Sequence, residues 1–333
     1  MPHVTVLRQR RVGLVLGAGG ILGSAWMTGA LAALGDHLDR PLGELDLVLG
    51  TSAGSVLAAA LRCGMSVPEL VDHHLDRAST RDGLPEVRTI ARETGDGLPP
   101  APLPVVGSPR LLAAALAAPW RVPPLVALTG LLPLGRARLR SLVRLVDSLQ
   151  ARLGATPDHW VPGAPLWVVS VDYDTGRPVV FGRAGGPPSS VADAVLASCA
   201  IPGWIAPQVV GGRRYIDGAV ASTTSVALLA RQTAPRLDEV YVLAPMASHA
   251  YDQPLDPVAG VERSFRRWWT CALDREVAAV RATGARVTVL TPGPADLTVM
   301  GGNLMDPYRR RAVLERSCET SARALAGAQR AAA

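Results

Sequence analysis

The sequence predicts an α/β protein: a central, mostly parallel sheet flanked by helices. Three observations carry this. Strand–turn–helix units occur twice before Gly64. The strands are continuous aliphatic runs, "RVGLVLG" (11–17) and "LDLVLG" (45–50), as expected where helices cover both faces of a sheet. With 333 residues and 48% apolar content, the chain can bury one large core.

The elements follow in order. After the first strand, the glycine-rich turn "GAGGILG" (17–23) leads into an amphipathic helix reaching about Leu38. The second strand runs straight into "GTSAG" (50–54), and a helical pattern, "SVLAAALRCG" (55–64), stops at Gly64. Residues 66–95 read as helical, with Ser66 and Glu69 at capping-box spacing. From about 97 to 150 the composition shifts to Pro, Leu and Ala. Prolines interrupt the segment and strand alternation is missing, so an inserted, largely helical lid is expected. Its uncharged runs fall short of the ~20 residues a bilayer span needs. Strands are then expected at 165–173, 177–183, 213–217, 239–245 and 285–293, with helices at 190–200 and after 217. The last helix is expected to open at Asp306-Pro307, an N-cap followed by proline. In "RRWWT" (266–270), one tryptophan is expected to be buried against the sheet. The whole reads as a single domain, residues 1–333. A core at 12–235 carries the 97–150 insert, and residues 236–333 complete the fold.

Composition excludes several functions. The net charge is +6, and all 34 basic residues are arginine. Without lysine there is no P-loop lysine and no Schiff base. No arginine run is interleaved with aromatics, so no nucleic-acid partner is expected; anionic surfaces such as membrane headgroups are the natural attractor. Cys63, Cys199, Cys271 and Cys318 form no C-x-x-C pair, which excludes a zinc ribbon or a thioredoxin-type site. Reduced thiols and an N-terminus without signal-peptide shape lead to the expectation of a cytoplasmic protein, without a transmembrane helix and with peripheral membrane contact through the insert. No metal and no cofactor are expected.

Ser52 is the first candidate for chemistry. In Gly-x-Ser-x-Gly the flanking Gly50 and Gly54 let the backbone fold sharply and push the hydroxyl out at the tip. The following helix points its N-terminus at that hydroxyl. The same pattern also arises in a tight turn without chemistry. The 17–23 turn does not fit the dinucleotide fingerprint, because Leu22 stands where its third glycine belongs. It fits an oxyanion hole, with backbone N–H groups from Gly19 and Gly20 and a further donor at Ala53. For a base, the histidines are His3, His37, His73, His74, His159 and His249. Only the last two lie in plausible places, and His73-His74 read as surface residues of a helix. Asp217, in "YIDGAVAS" (215–222), ends a short strand and could take the serine proton directly; it could equally be an ordinary Asp-Gly turn.

Together, "GLVLGAGGILGSAWMTGALAAL" (13–34), "LVLGTSAGSVLAAAL" (47–61) and "ADAVLASCAIPGWIAPQVVGGRRYIDGAVAS" (192–222) resemble the patatin-like phospholipases, as does "WVVSVDYDTGRPVVFG" (167–182). The resemblance implies a three-layer patatin-like fold. It also implies a Ser–Asp dyad of Ser52 and Asp217, and an oxyanion hole at Gly19 and Gly20. The implied activity is hydrolysis of lipid or fatty-acyl esters through an acyl-enzyme, without metal. The turn departs from the family's usual G-x-G-x-[RK]-G at Ala18 and at Leu22, where a basic residue is common. Two other readings stay open: an α/β-hydrolase-type esterase with a histidine base such as His249, and a catalytically silent lipid-binding protein.

Overall fold

The computed structural model describes residues 10–38, 40–77, 87–95, 98–154, 160–231 and 234–332. His3 and His159 lie outside them.

The chain runs β1 (Val12–Leu16), α1 (Gly20–His37), β2 (Leu47–Thr51), α2 (Ala53–Arg62), α3 (Val67–His74) and α4 (Val87–Glu93). The insert contains β3 (Leu103–Val106), α5 (Pro109–Ala117), α6 (Pro124–Thr129), β4 (Pro133–Leu134) and α7 (Arg140–Arg152). Then come β5 (Leu166–Asp172), β6 (Pro178–Phe181), α8 (Val191–Ser198), β7 (Gln208–Val210), β8 (Arg213–Asp217) and β9 (Glu239–Leu243). α9 (Pro257–Arg281), β10 (Arg286–Leu290), α10 (Pro294–Met300) and α11 (Arg310–Ala332) complete it.

The main sheet has the order β10-β9-β1-β2-β5-β8-β7, with β6 also paired to β5. From β10 to β5 every pairing is parallel, while β6, β7 and β8 add antiparallel pairs. Side-chain alternation makes three layers. Leu14, Leu16, Val48, Val168 and Leu243 face one core, with α1, α2, α7, α8 and α11. Val15, Leu49, Val169 and Val242 face a second core, closed by Leu273, Val277 and Val280 of α9.

Four expectations change. The insert is not purely helical: β3 and β4 form a small antiparallel sheet. Their prolines stand in a two-stranded sheet whose outer edges have no further partner to hydrogen-bond. After Asp217 there are two short 3₁₀ turns rather than a helix, since Ser225 takes a left-handed φ of 57°. The last helix starts at Arg310; Asp306 instead accepts the Tyr308 N–H in a local turn. On α9 neither tryptophan is buried. Its inward stripe holds Arg263, Arg266 and Thr270, which leaves Trp268 exposed. Arg263 and Arg266 go inside because Asp252, Glu262 and backbone carbonyls take up their donors.

Candidate active site

Ser52 sits between β2 and α2 at φ 53° and ψ −124°. A non-glycine residue there is strained, and it persists because its surroundings over-determine it. The flanking glycines show how. A Cβ on Gly54 would stand 2.0 Å from the Leu16 carbonyl oxygen, and one on Gly50 would stand 2.5 Å from the Gly54 oxygen. The first turn of α2 therefore rests directly on the ends of β1 and β2.

β5 brings the second residue to it. β6 pairs along Val168–Val171 and occupies one edge of β5. On the other edge, β2 runs alongside until Thr51 lies opposite Val169. β8 comes from the opposite direction, and its Asp217 lies opposite Ser170, the next residue. The C-terminal ends of β2 and β8 thus meet head-on, one register step apart, about 3.3 Å. Gly218 permits the junction, since a Cβ there would strike the Val169 oxygen at 2.5 Å. Across it, the Ser52 hydroxyl donates to Asp217 Oδ2 at 2.6 Å. Oδ1 accepts the Ala219 N–H at 2.8 Å, which fixes the carboxylate plane.

Both residues are buried. Burial pushes the Asp217 carboxyl up to about 7, against the opposing pull of the hydrogen bonds from Ser52 and Ala219. A carboxyl poised near neutrality can take and return a proton, unlike one at its ordinary 3.8.

Three supporting residues escaped the sequence reading. Ser198, at the end of α8, accepts the Ser52 N–H at 2.8 Å and donates to the Val169 carbonyl at 2.6 Å. Ser55 donates to the Ser52 carbonyl at 2.6 Å. Cys199 is buried beside them, and burial together with the Asp217 charge pushes its thiol far up, so it stays protonated. Small residues at a helix end carry no distinctive pattern; only the positions of α8 and β5 reveal them.

The 17–23 turn shows which positions need glycine. A Cβ on Gly19 would lie 2.7 Å from Gly23 Cα, and Gly20 has φ +60° with Met305 and Leu304 packed on it. Ala18 needs no such freedom: its φ is not positive, and its N–H donates to the Thr223 carbonyl at 2.7 Å. Leu22 is wholly buried in the first core and does not line the site. Its N–H is taken by Leu304, and that of Gly23 by Gly19, leaving the N–H groups of Gly19, Gly20 and Ile21 without a backbone acceptor among the described residues.

Ser52 opens onto a cleft of about 860 Å³, counted to its mouth. The walls are almost wholly apolar: Val56, Leu57 and Ala60 of α2, Leu142 and Leu145 of α7, and Ile201 and Ile205 beyond α8. Gly20, Ala53 and Met305 stand with Ser52 around it. His73 and His74 also line it, and both are buried, which corrects their reading as surface residues. α3 packs on α1, and His74 Nε2 lies 3.2 Å from Ser24 Oγ. Burial first, then neighbouring positive charge, pushes His73 down to about 4 and His74 to about 3, so both are neutral at pH 7. His249 is not in the cleft; it is exposed and pairs with Asp274 of α9 at 2.9 Å.

Among the described residues, no group of three or more His, Cys, Asp or Glu side chains is placed to hold a metal ion. No helix among them is long and apolar enough to cross a membrane.

A three-layer sheet, a serine on a strained strand–helix turn and an apolar cleft at that serine define a lipid acyl hydrolase. The family model for patatin-like phospholipase matches residues 14–230, and the chain belongs to that family. Among solved structures, VipD from Legionella pneumophila aligns with 96% of this chain and 67% of its own, at 14% identity and TM-score 0.48. Full-length ExoU from the type III secretion system of Pseudomonas aeruginosa, in complex with full-length SpcU, aligns with 94% of this chain and 52% of its own, at 18% identity and TM-score 0.34. The chain therefore spans about half the length of ExoU.

Proposed function

We propose that Ser52 and Asp217 form a catalytic dyad that hydrolyses lipid or fatty-acyl ester bonds. The observation that carries this is the buried 2.6 Å hydrogen bond from the Ser52 hydroxyl to Asp217. Asp217 takes the hydroxyl proton as Ser52 Oγ attacks the ester carbonyl carbon. The alcohol leaves with that proton, and the acyl group stays on Ser52. Water then attacks the acyl carbonyl and gives a proton to Asp217; the acid departs and Ser52 recovers its hydrogen. In both tetrahedral intermediates the oxyanion is held by the N–H groups of Gly19, Gly20 and Ala53, each donor being worth about 3 kcal/mol in such sites. The acyl chain lies along the apolar cleft, and the insert approaches the substrate from the lipid surface.

Labelling with a fluorophosphonate tests the dyad. The wild type and His249→Ala should form the adduct, while Ser52→Ala and Asp217→Ala should not, in samples of unchanged circular dichroism. An adduct that survives Asp217→Ala but disappears with His249→Ala would overturn the dyad in favour of a histidine base. A folded wild type without a Ser52-dependent adduct would favour the lipid-binding reading.

A further inference from the structure

Residues 98–146 contain six arginines and no Asp or Glu. Outside them, 28 arginines face 28 carboxylates, so the whole net charge of +6 resides in this one stretch. The same stretch is the most apolar part of the surface. Among the described residues, ten of the eighteen exposed large apolar side chains fall between Leu98 and Leu132, with Leu116 and Trp120 the most exposed of these ten.

Three of the arginines lie close together in the chain. Residues 135–139 run extended beside the chain after α8: Ala137 pairs with Ile205, and the Ala206 N–H donates to the Ala137 carbonyl. Gly135, Ala137 and Leu139 are buried, and Arg136, Arg138 and Arg140 are exposed between and beyond them, the last opening α7. None of the three is paired with a carboxylate among the described residues, whereas Arg110 and Arg144 on the same insert are. Arg138 and Arg140 rim a cavity that also contains Val209, and this cavity shares Leu139 and Ile205 with the Ser52 cleft. Outside the insert, Val261, Phe265 and Trp268 are exposed on α9.

We propose that the insert is a docking surface for an anionic lipid leaflet. Arg136, Arg138 and Arg140 face its phosphate groups, and Leu116 and Trp120 enter the headgroup–acyl boundary. This rests on the hydrolase reading only in placing the cleft beside that surface. Unpaired cations and exposed apolar groups within one insert match an anionic bilayer in both respects. Each interfacial cation weighs about fivefold in partition, so removing all three costs on the order of 100-fold.

Co-sedimentation of the full chain carrying Ser52→Ala keeps binding separate from hydrolysis. It uses vesicles of phosphatidylcholine alone and of an equimolar mixture with phosphatidylglycerol. Preferential binding to the mixture, weakened by added salt, is expected. Arg136→Gln/Arg138→Gln/Arg140→Gln in this background should lose that preference by about 100-fold. Leu116→Ser/Trp120→Ser should weaken binding to both vesicles, and Phe265→Ser/Trp268→Ser to neither. The triple arginine change in the chain with Ser52 intact should leave hydrolysis of a soluble short-chain ester unchanged. Equal binding to both vesicles, or a triple variant that binds as its parent does, would overturn the docking surface. Loss of soluble-ester hydrolysis in the triple variant would overturn its separation from the catalytic cleft. If Ser52 proves inert while the arginine-dependent binding remains, the dyad fails and the docking surface stands.

Discussion

Replacing Asp217 with Asn separates the cost of this carboxylate from its use. Burial raises the carboxyl from 3.8 to about 7. Ionising it inside the fold therefore costs about 4 kcal/mol, at ~1.36 kcal/mol for each unit of pKa. The sign follows from proton binding. Between pH 3.8 and about 7 the folded state holds a proton that the unfolded state has released, so this group's contribution to stability declines as pH rises through that window. The amide that replaces the carboxyl has nothing to ionise. Its oxygen can still accept the Ala219 N–H, although the bond with Ser52 is reorganised. Asp217→Asn should thus be more stable than wild type at pH 8 by about 3 kcal/mol, after allowing roughly 1 kcal/mol for the altered hydrogen bond. The advantage should shrink on acidification and be gone by pH 4. Activity should fall by about 10³ at every pH where the wild type works, as loss of a general base entails. Urea midpoints of both proteins from pH 4 to pH 8.5 measure this, and His73 and His74 cancel in the difference. A stability difference that does not vary with pH would refute the buried, high-pKa carboxyl, whatever happened to activity.

Other outcomes follow from the same geometry. The pH profile of kcat/KM should rise through about pH 7 and then flatten, with Asp217 ionised on the plateau; His249→Ala should leave the profile unchanged. Ser198→Ala leaves the buried Ser52 N–H without its acceptor, and should cost about 1–3 kcal/mol in thermal unfolding while lowering kcat. Gly54→Ala drives a methyl group into the Leu16 carbonyl, and should destabilise by about 3 kcal/mol or yield no folded protein. His74→Gln should flatten the loss of stability that accompanies acidification below pH 6.5. Over that range the unfolded chain takes up a proton that the buried, neutral His74 refuses until about pH 3, and chemical denaturation across pH 4–6.5 reads the slope.

The parallel sheet was legible because strands buried on both faces leave unbroken aliphatic runs. The serine turn stood out because it ends such a strand; Asp217 ends the polar strand "RRYID", and only the resemblance to the patatin-like phospholipases separated it from an ordinary Asp-Gly turn. α9 was not. Its inward stripe carries Arg263 and Arg266, whose burial depends on Asp252 and Glu262, and no periodicity of apolar residues announces that. His73 and His74 were misread for a related reason: a polar pair on a short helix looks solvent-facing until α1 is known to cover it. The register that joins Thr51 and Asp217 along β5 was beyond reach, because a pairing between distant strands leaves no local mark. The chemistry of Ser198 went with it.

That register has a consequence for how this protein can change. The hydroxyl and the carboxylate are separated by 165 positions in the chain, yet their spacing is set by two adjacent residues, Val169 and Ser170. Chain length between β2 and β5, or between β5 and β8, does not enter the distance. Loops and whole insertions there can grow, shrink or be exchanged without moving one reacting atom relative to the other. A single residue added between Val169 and Ser170 would part them. Variation in lipid preference can accumulate in the insert, while the constraint that protects the chemistry is confined to one dipeptide step in one strand.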